Sequence, residues 1–82
     1  MNLNEIINTK DYKNASARIK EWRERLKTAD KKEALQIRDE KTTFFSTMFK
    51  ANTSLYVLFQ VDDKNLSEDI HLKLTGEKII IG

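Results

Sequence analysis

Tyr12, Ala15, Ile19, Trp22, Leu26 and Ala29 follow one another at intervals of three, four, three, four and three residues. On a helix turning about 100° per residue they share an arc of about 100°. Such a narrow stripe predicts a helix over residues 14–29 that buries one face and wets the rest. No proline interrupts it, since the chain has none. Glu21 with Arg25 and Lys20 with Glu24 are i,i+4 pairs, each adding a few tenths of a kcal/mol.

A second helix is expected from Asp30. In "DKKE" Asp30 stands as N-cap and Glu33 as its capping-box partner. Only "TAD" separates the two helices, which predicts an αα-hairpin. The second helix is of a different kind. Ala34, Leu35, Ile37, Phe44, Phe45, Met48, Phe49 and Ala51 spread over roughly 200° of the wheel. One neighbouring helix cannot cover so wide an arc, so the pattern asks for a sheet as well as a helix, or a second molecule. Phe44 and Ala51, at one edge of the arc, are the candidates for contact with a partner. Ahead of both helices, residues 2–8 suit one or two helical turns with Asn2 as N-cap and Glu5 three positions on. There Leu3, Ile6 and Ile7 pin the N-terminus to the core.

After Asn52, a plausible helix stop, the period changes. Leu55, Val57, Phe59 and Val61 alternate with Tyr56, Leu58 and Gln60, which reads as a strand. The following "DDKN" reads as a turn. Ile70, Leu72 and Leu74 alternate in the same way. Gly76 and Glu77 suit a type II′ turn, and residues 79–81 return as a third strand. A competing reading makes "SEDIHLKLTG" a short helix with Ser67 as N-cap and Gly76 as terminator. The expected fold is α+β: N-terminal helices forming an αα-hairpin, followed by a short three-stranded antiparallel sheet, in a single domain over residues 1–82.

With 82 residues and no cysteine, neither a disulfide framework nor a thiolate metal site is available. No basic segment precedes an apolar one at the N-terminus, and no apolar run approaches the roughly 20 residues of a membrane span. The expectation is a soluble, cytoplasmic protein. Its 15 Lys/Arg and 13 Asp/Glu give +2, distributed unevenly. Residues 1–29 carry +3 and residues 53–82 carry −2, so the N-terminal side would lead toward an acidic partner.

Chemistry-bearing constellations are sparse. His71, the only histidine, reads as a strand residue on the outer face of a hairpin. Asp69 is its nearest acid, on the same strand face, but no serine in a special turn accompanies the pair as a nucleophile. Asp62 and Asp63 read as a solvated turn, without the calcium-loop pattern. Two glycines, Gly76 and Gly82, rule out a glycine-rich phosphate loop. The sequence thus predicts no enzyme, no catalytic residue, no metal site and no cofactor. Lys13, Lys20 and Lys27 recur at heptad spacing and Arg23 joins them within about 80° of the wheel. That row suits an acidic protein surface or, as the alternative, a nucleic-acid backbone. Tyr12 and Trp22 lie on the apolar seam rather than among the cations, which argues against stacking on bases.

The segment "MNLNEIINTKDYKN", the Lys/Asn/Ile/Asp bias, the absence of Cys and Pro and the length of the chain are similar to those of small accessory proteins of T4-like phages. These include cytoplasmic lysis-inhibition proteins (antiholins). The resemblance implies a regulator that binds the cytoplasmic segment of a membrane-embedded holin. It carries no diagnostic motif and assigns no residue a role. Residues and resemblance together predict a small non-enzymatic regulator acting by stoichiometric protein binding. A homodimer is compatible with the wide apolar arc of the second helix.

Overall fold

The computed structural model describes residues 3–76. They form four helices: α1 (Leu3–Ile7), α2 (Lys10–Lys27), α3 (Lys31–Ala51) and α4 (Thr53–Thr75). Each of the three long helices is punctuated by a side chain of the expected kind. Thr9 Oγ1 accepts from the Tyr12 N–H at 3.2 Å, Asp30 Oδ1 from Glu33 N–H at 2.8 Å, and Asn52 Oδ1 from Leu55 N–H at 3.1 Å. Each thereby satisfies one of the amide groups that a helix start leaves without an intrahelical partner. Asn52 also closes α3, its own N–H donating to the Met48 carbonyl. Gly76 ends α4 at φ 75°, in the left-handed region that glycine enters without steric cost.

The contacts fix an up-down-up bundle. Lys41 meets Asp63, Phe45 meets Phe59, and Phe49 meets Tyr56, so α3 and α4 run antiparallel. Trp22 and Arg25 meet Glu40, and Arg25 meets Glu33, which sets α2 antiparallel to α3. Tyr12 packs on Phe59 and Arg23 pairs with Asp62, so α2 and α4 run parallel. One cluster of buried residues lies between the three helices, with Trp22, Ile37, Leu66 and Ile70 fully enclosed. Ile6 of α1 packs against its edge.

The α2 seam is as expected: Ala15, Ile19, Trp22, Leu26 and Ala29 are buried and Tyr12 is half-buried against the core. The α3 arc is not. Its buried line is Ala34, Ile37, Lys41, Phe45 and Met48, while Leu35, Phe49 and Ala51 are exposed. Helices α2 and α4, one on each side, cover that line together with Phe44. No sheet is needed.

The α+β expectation is overturned: among the described residues there is no strand, and 53–75 is one continuous helix. The alternation of Leu55, Val57, Phe59 and Val61 is real but unused. Leu55 and Phe59 are buried, whereas Val57 is 55% and Val61 69% exposed. The burial that matters is Leu55, Phe59, Leu66 and Ile70, at helical spacing, with a gap at positions 62 and 63. Aspartates occupy that gap, which hid the period. The aspartates are not a solvated turn. Asp63 Oδ1 accepts from Lys41 Nζ at 2.6 Å, its Oδ2 accepts from the Tyr56 hydroxyl at 3.0 Å, and Asp62 pairs with Arg23 at 3.2 Å. Gly76 terminates a helix, as in the competing reading, but that helix starts at Thr53 and Ser67 lies in its interior. The proposed II′ turn at Glu77, the strand at 79–81 and the Asn2 cap lie outside the described residues.

Candidate functional site

The sequence-predicted site residues do not converge. Lys13, Lys20, Arg23 and Lys27 are all exposed, and Lys20, Arg23 and Lys27 line the side of α2 that borders α4. Phe44 and Ala51 lie on the other side, lining with Asp11, Asn14 and Met48 a shallow hollow between α2, α3 and the start of α4. Phe44 is half-buried, edge-on to Trp22 at 5.6 Å, and so belongs to the core rim; Ala51 is exposed.

Along the basic row, Arg23 is held by Asp62 across the helix interface, and Lys27 by Glu24 at 3.0 Å. The expected Lys20 to Glu24 pair is replaced by this i,i+3 one. No ion pair engages Lys13 or Lys20 among the described residues. Between this row and α4 runs a furrow made of two adjoining hollows that share Arg23. The larger, about 730 Å³, is walled by Leu26 and Lys27 on one side and Glu68, Asp69 and Leu72 on the other. The smaller lies between Ser16, Lys20 and Asp62. Lys73 Nζ donates to the Lys27 carbonyl at 3.3 Å and bridges the furrow near its end.

On the α4 side stands what the sequence reading missed. Val57, Leu58 and Val61 form an exposed apolar ridge, and Leu72 stands exposed less than one turn before the helix end. Assigning 55–61 to a strand concealed it. The signal was available: Leu58, Val61, Asn65, Glu68 and Leu72 recur at intervals of three, four, three and four. That is a second helical stripe beside the buried one.

Two polar clusters elsewhere are self-satisfied. At the α2/α3 seam, Arg25 donates to both Glu40 oxygens at 3.0 Å and to Glu33 Oε1 at 2.6 and 2.8 Å. Glu33 thus serves Arg25 rather than reaching back to its own cap. The Arg25 guanidinium, helped by the Trp22 N–H, holds the Glu40 carboxyl down at about 2 despite its partial burial. Arg18 stacks over Trp22 at 4.8 Å, with Glu21 and Glu40 nearby. At the α3/α4 seam, Lys41 is 7% exposed and fully answered by Asp63. The hydrogen bond to Asp63, with burial, raises the Tyr56 hydroxyl above its usual value. His71 lies exposed on α4. Among the described residues no group of three His, Cys, Asp or Glu side chains could hold a metal ion, and no helix is long and apolar enough to cross a membrane.

No family model, curated protein or solved structure matches this chain. The fold itself defines the class: a small all-helical domain, an up-down-up three-helix bundle with a short N-terminal helix. Its distinctive surface is the face where α2 and α4 run side by side.

Proposed function

We propose that this protein is a small regulator that acts by binding another protein stoichiometrically, through the face shared by α2 and α4. The observation that carries the reading is the ridge of Val57, Leu58 and Val61, 55%, 37% and 69% exposed on a helix whose other side already fills the core. Contiguous apolar side chains rimmed by charge mark binding surfaces on small proteins. Buried anchors of this kind supply affinity, while the neighbouring cations steer the approach. In its more specific form the reading follows the resemblance to phage antiholins, and the target is the cytoplasmic segment of a holin.

A photo-cross-linking residue at position 61 should trap the target, and one at Asp39, on the exposed side of α3, should not. Val57→Asp should abolish the adduct while the far-ultraviolet circular dichroism stays unchanged. Equal trapping from both positions would refute the assignment of this face. The rival, backbone binding of nucleic acid through Lys13, Lys20 and Lys27, would show as affinity that falls steeply between about 50 and 200 mM salt.

A further inference from the structure

The two walls of the furrow differ in chemistry and share a period. On α2, Lys13, Ser16, Lys20, Arg23 and Lys27 recur at intervals of three, four, three and four; on α4, Leu58, Val61, Asn65, Glu68 and Leu72 do the same. That is the spacing at which one helix offers a seam to another. Helices α2 and α4 therefore each carry two rows, one spent on the core and one facing outward. Ser16, Lys20, Arg23 and Lys27 line the furrow from α2 and Asn65, Glu68 and Leu72 from α4, and Leu58 and Val61 continue the α4 row along its helix.

From this juxtaposition we infer that the furrow is the seat of a single partner helix. That helix is amphipathic, with an apolar stripe lying on the α4 ridge and acidic residues along the edge that faces α2. The inference rests on the α2/α4 face being the binding surface, and it names the occupant. The α4 row from Leu58 to Leu72, apolar at its two ends and polar at Asn65 and Glu68 between them, is about 21 Å long at 1.5 Å per residue, so the seated segment spans about four turns. Charge complementarity sets its polar edge. Lys13 and Lys20 stand seven residues apart with no ion pair among the described residues, so carboxylates at i and i+7 of the partner meet both. Glu68 and Asp69 on the opposite wall favour a cation near one end of the partner. Because α2 and α4 run parallel, a helix lying antiparallel to both completes an up-down-up-down arrangement. Nucleic acid fits the furrow poorly. Phosphates drawn to Lys20 and Arg23 would lie beside Asp62, Glu68 and Asp69.

The test is a panel of four synthetic probes against the ¹⁵N-labelled full chain, followed by amide shift changes and titration. The first is a helical peptide of about four turns with leucines at a and d and glutamates on one flank. The second replaces the glutamates with lysines. The third keeps the first composition but carries central prolines. The fourth is a single-stranded oligonucleotide. Binding of the acidic helix alone, with shifts confined to residues 13–27 and 57–73, is the expected result. Val61→Asp, or Lys13→Glu with Lys20→Glu, should then weaken it about tenfold or more. Equal binding of the lysine or proline peptide at the same residues would overturn the inference and leave the face as the binding surface. Shifts from the peptides elsewhere, or none from any peptide, would overturn both. Shifts along 13–27 from the oligonucleotide alone would replace both with nucleic-acid binding.

Discussion

Asp63→Asn isolates the interaction that lets α4 be one helix. The substitution preserves shape but removes the carboxylate that pairs with the Lys41 ammonium, whose side chain is 9% exposed. Lys50 lines the same small hollow, which offers the unpaired ammonium no acid to replace Asp63. Breaking a buried ion pair by removing one partner costs about 3–5 kcal/mol. Lys41 lies at the rim, where its long stem can carry the charge toward water, and the expectation is therefore about 2–3 kcal/mol. For a domain of this size that lowers Tm by about 10–20 °C. In urea, with a slope of about 1 kcal/mol per molar, the midpoint falls by about 2–3 M. The comparison with Lys41→Met combined with Asp63→Leu is decisive, because removing both charges removes the penalty as well as the attraction. The double variant should recover most of the loss. Urea melts followed at 222 nm read both. A cost below about 0.5 kcal/mol for Asp63→Asn, or a double variant no better than the single one, would refute the argument that a buried, paired lysine holds this seam.

The Glu40 carboxyl lies lower in the folded chain than its unfolded value of 4.5, at about 2. Its contribution is therefore fully present above pH 4.5 and lost as pH falls toward 2. With 28% of its side chain exposed, the loss should be about 1–2 kcal/mol, and Glu40→Gln should flatten the acid limb of a stability-versus-pH curve. Ile19→Ala or Leu26→Ala should cost about 2–5 kcal/mol in the same melts, whereas Val61→Ser should stay within about 0.5; a large loss at Val61 would mean that the ridge is structural. Asn52→Ala removes the α4 N-cap and should cost about 1 kcal/mol, read as a lower urea midpoint with unchanged slope.

What the residues alone determined was the part in which local rules and burial agree. The α2 seam was legible because every third or fourth residue from Tyr12 to Ala29 is apolar. Asp30 and Asn52 announce helix boundaries through their own side-chain chemistry, whereas Gly76 suited a hairpin turn as well as the helix end it makes. The basic row on α2 was equally plain. Only the tertiary structure decided the rest. Leu55, Val57, Phe59 and Val61 satisfy a strand as well as a helix, and a period of two cannot be rejected without knowing which of the four find a core. The helical alternative depends on Asp62 and Asp63 being tolerable on a packed seam. They are tolerable because Lys41 lies 22 residues away, and Arg23 39 residues away, across helix interfaces. A charge that looks like a turn in one dimension becomes a core-compatible pair in three. The candidate site was hidden for the same reason, since an exposed ridge exists only once the opposite face of α4 is known to be buried.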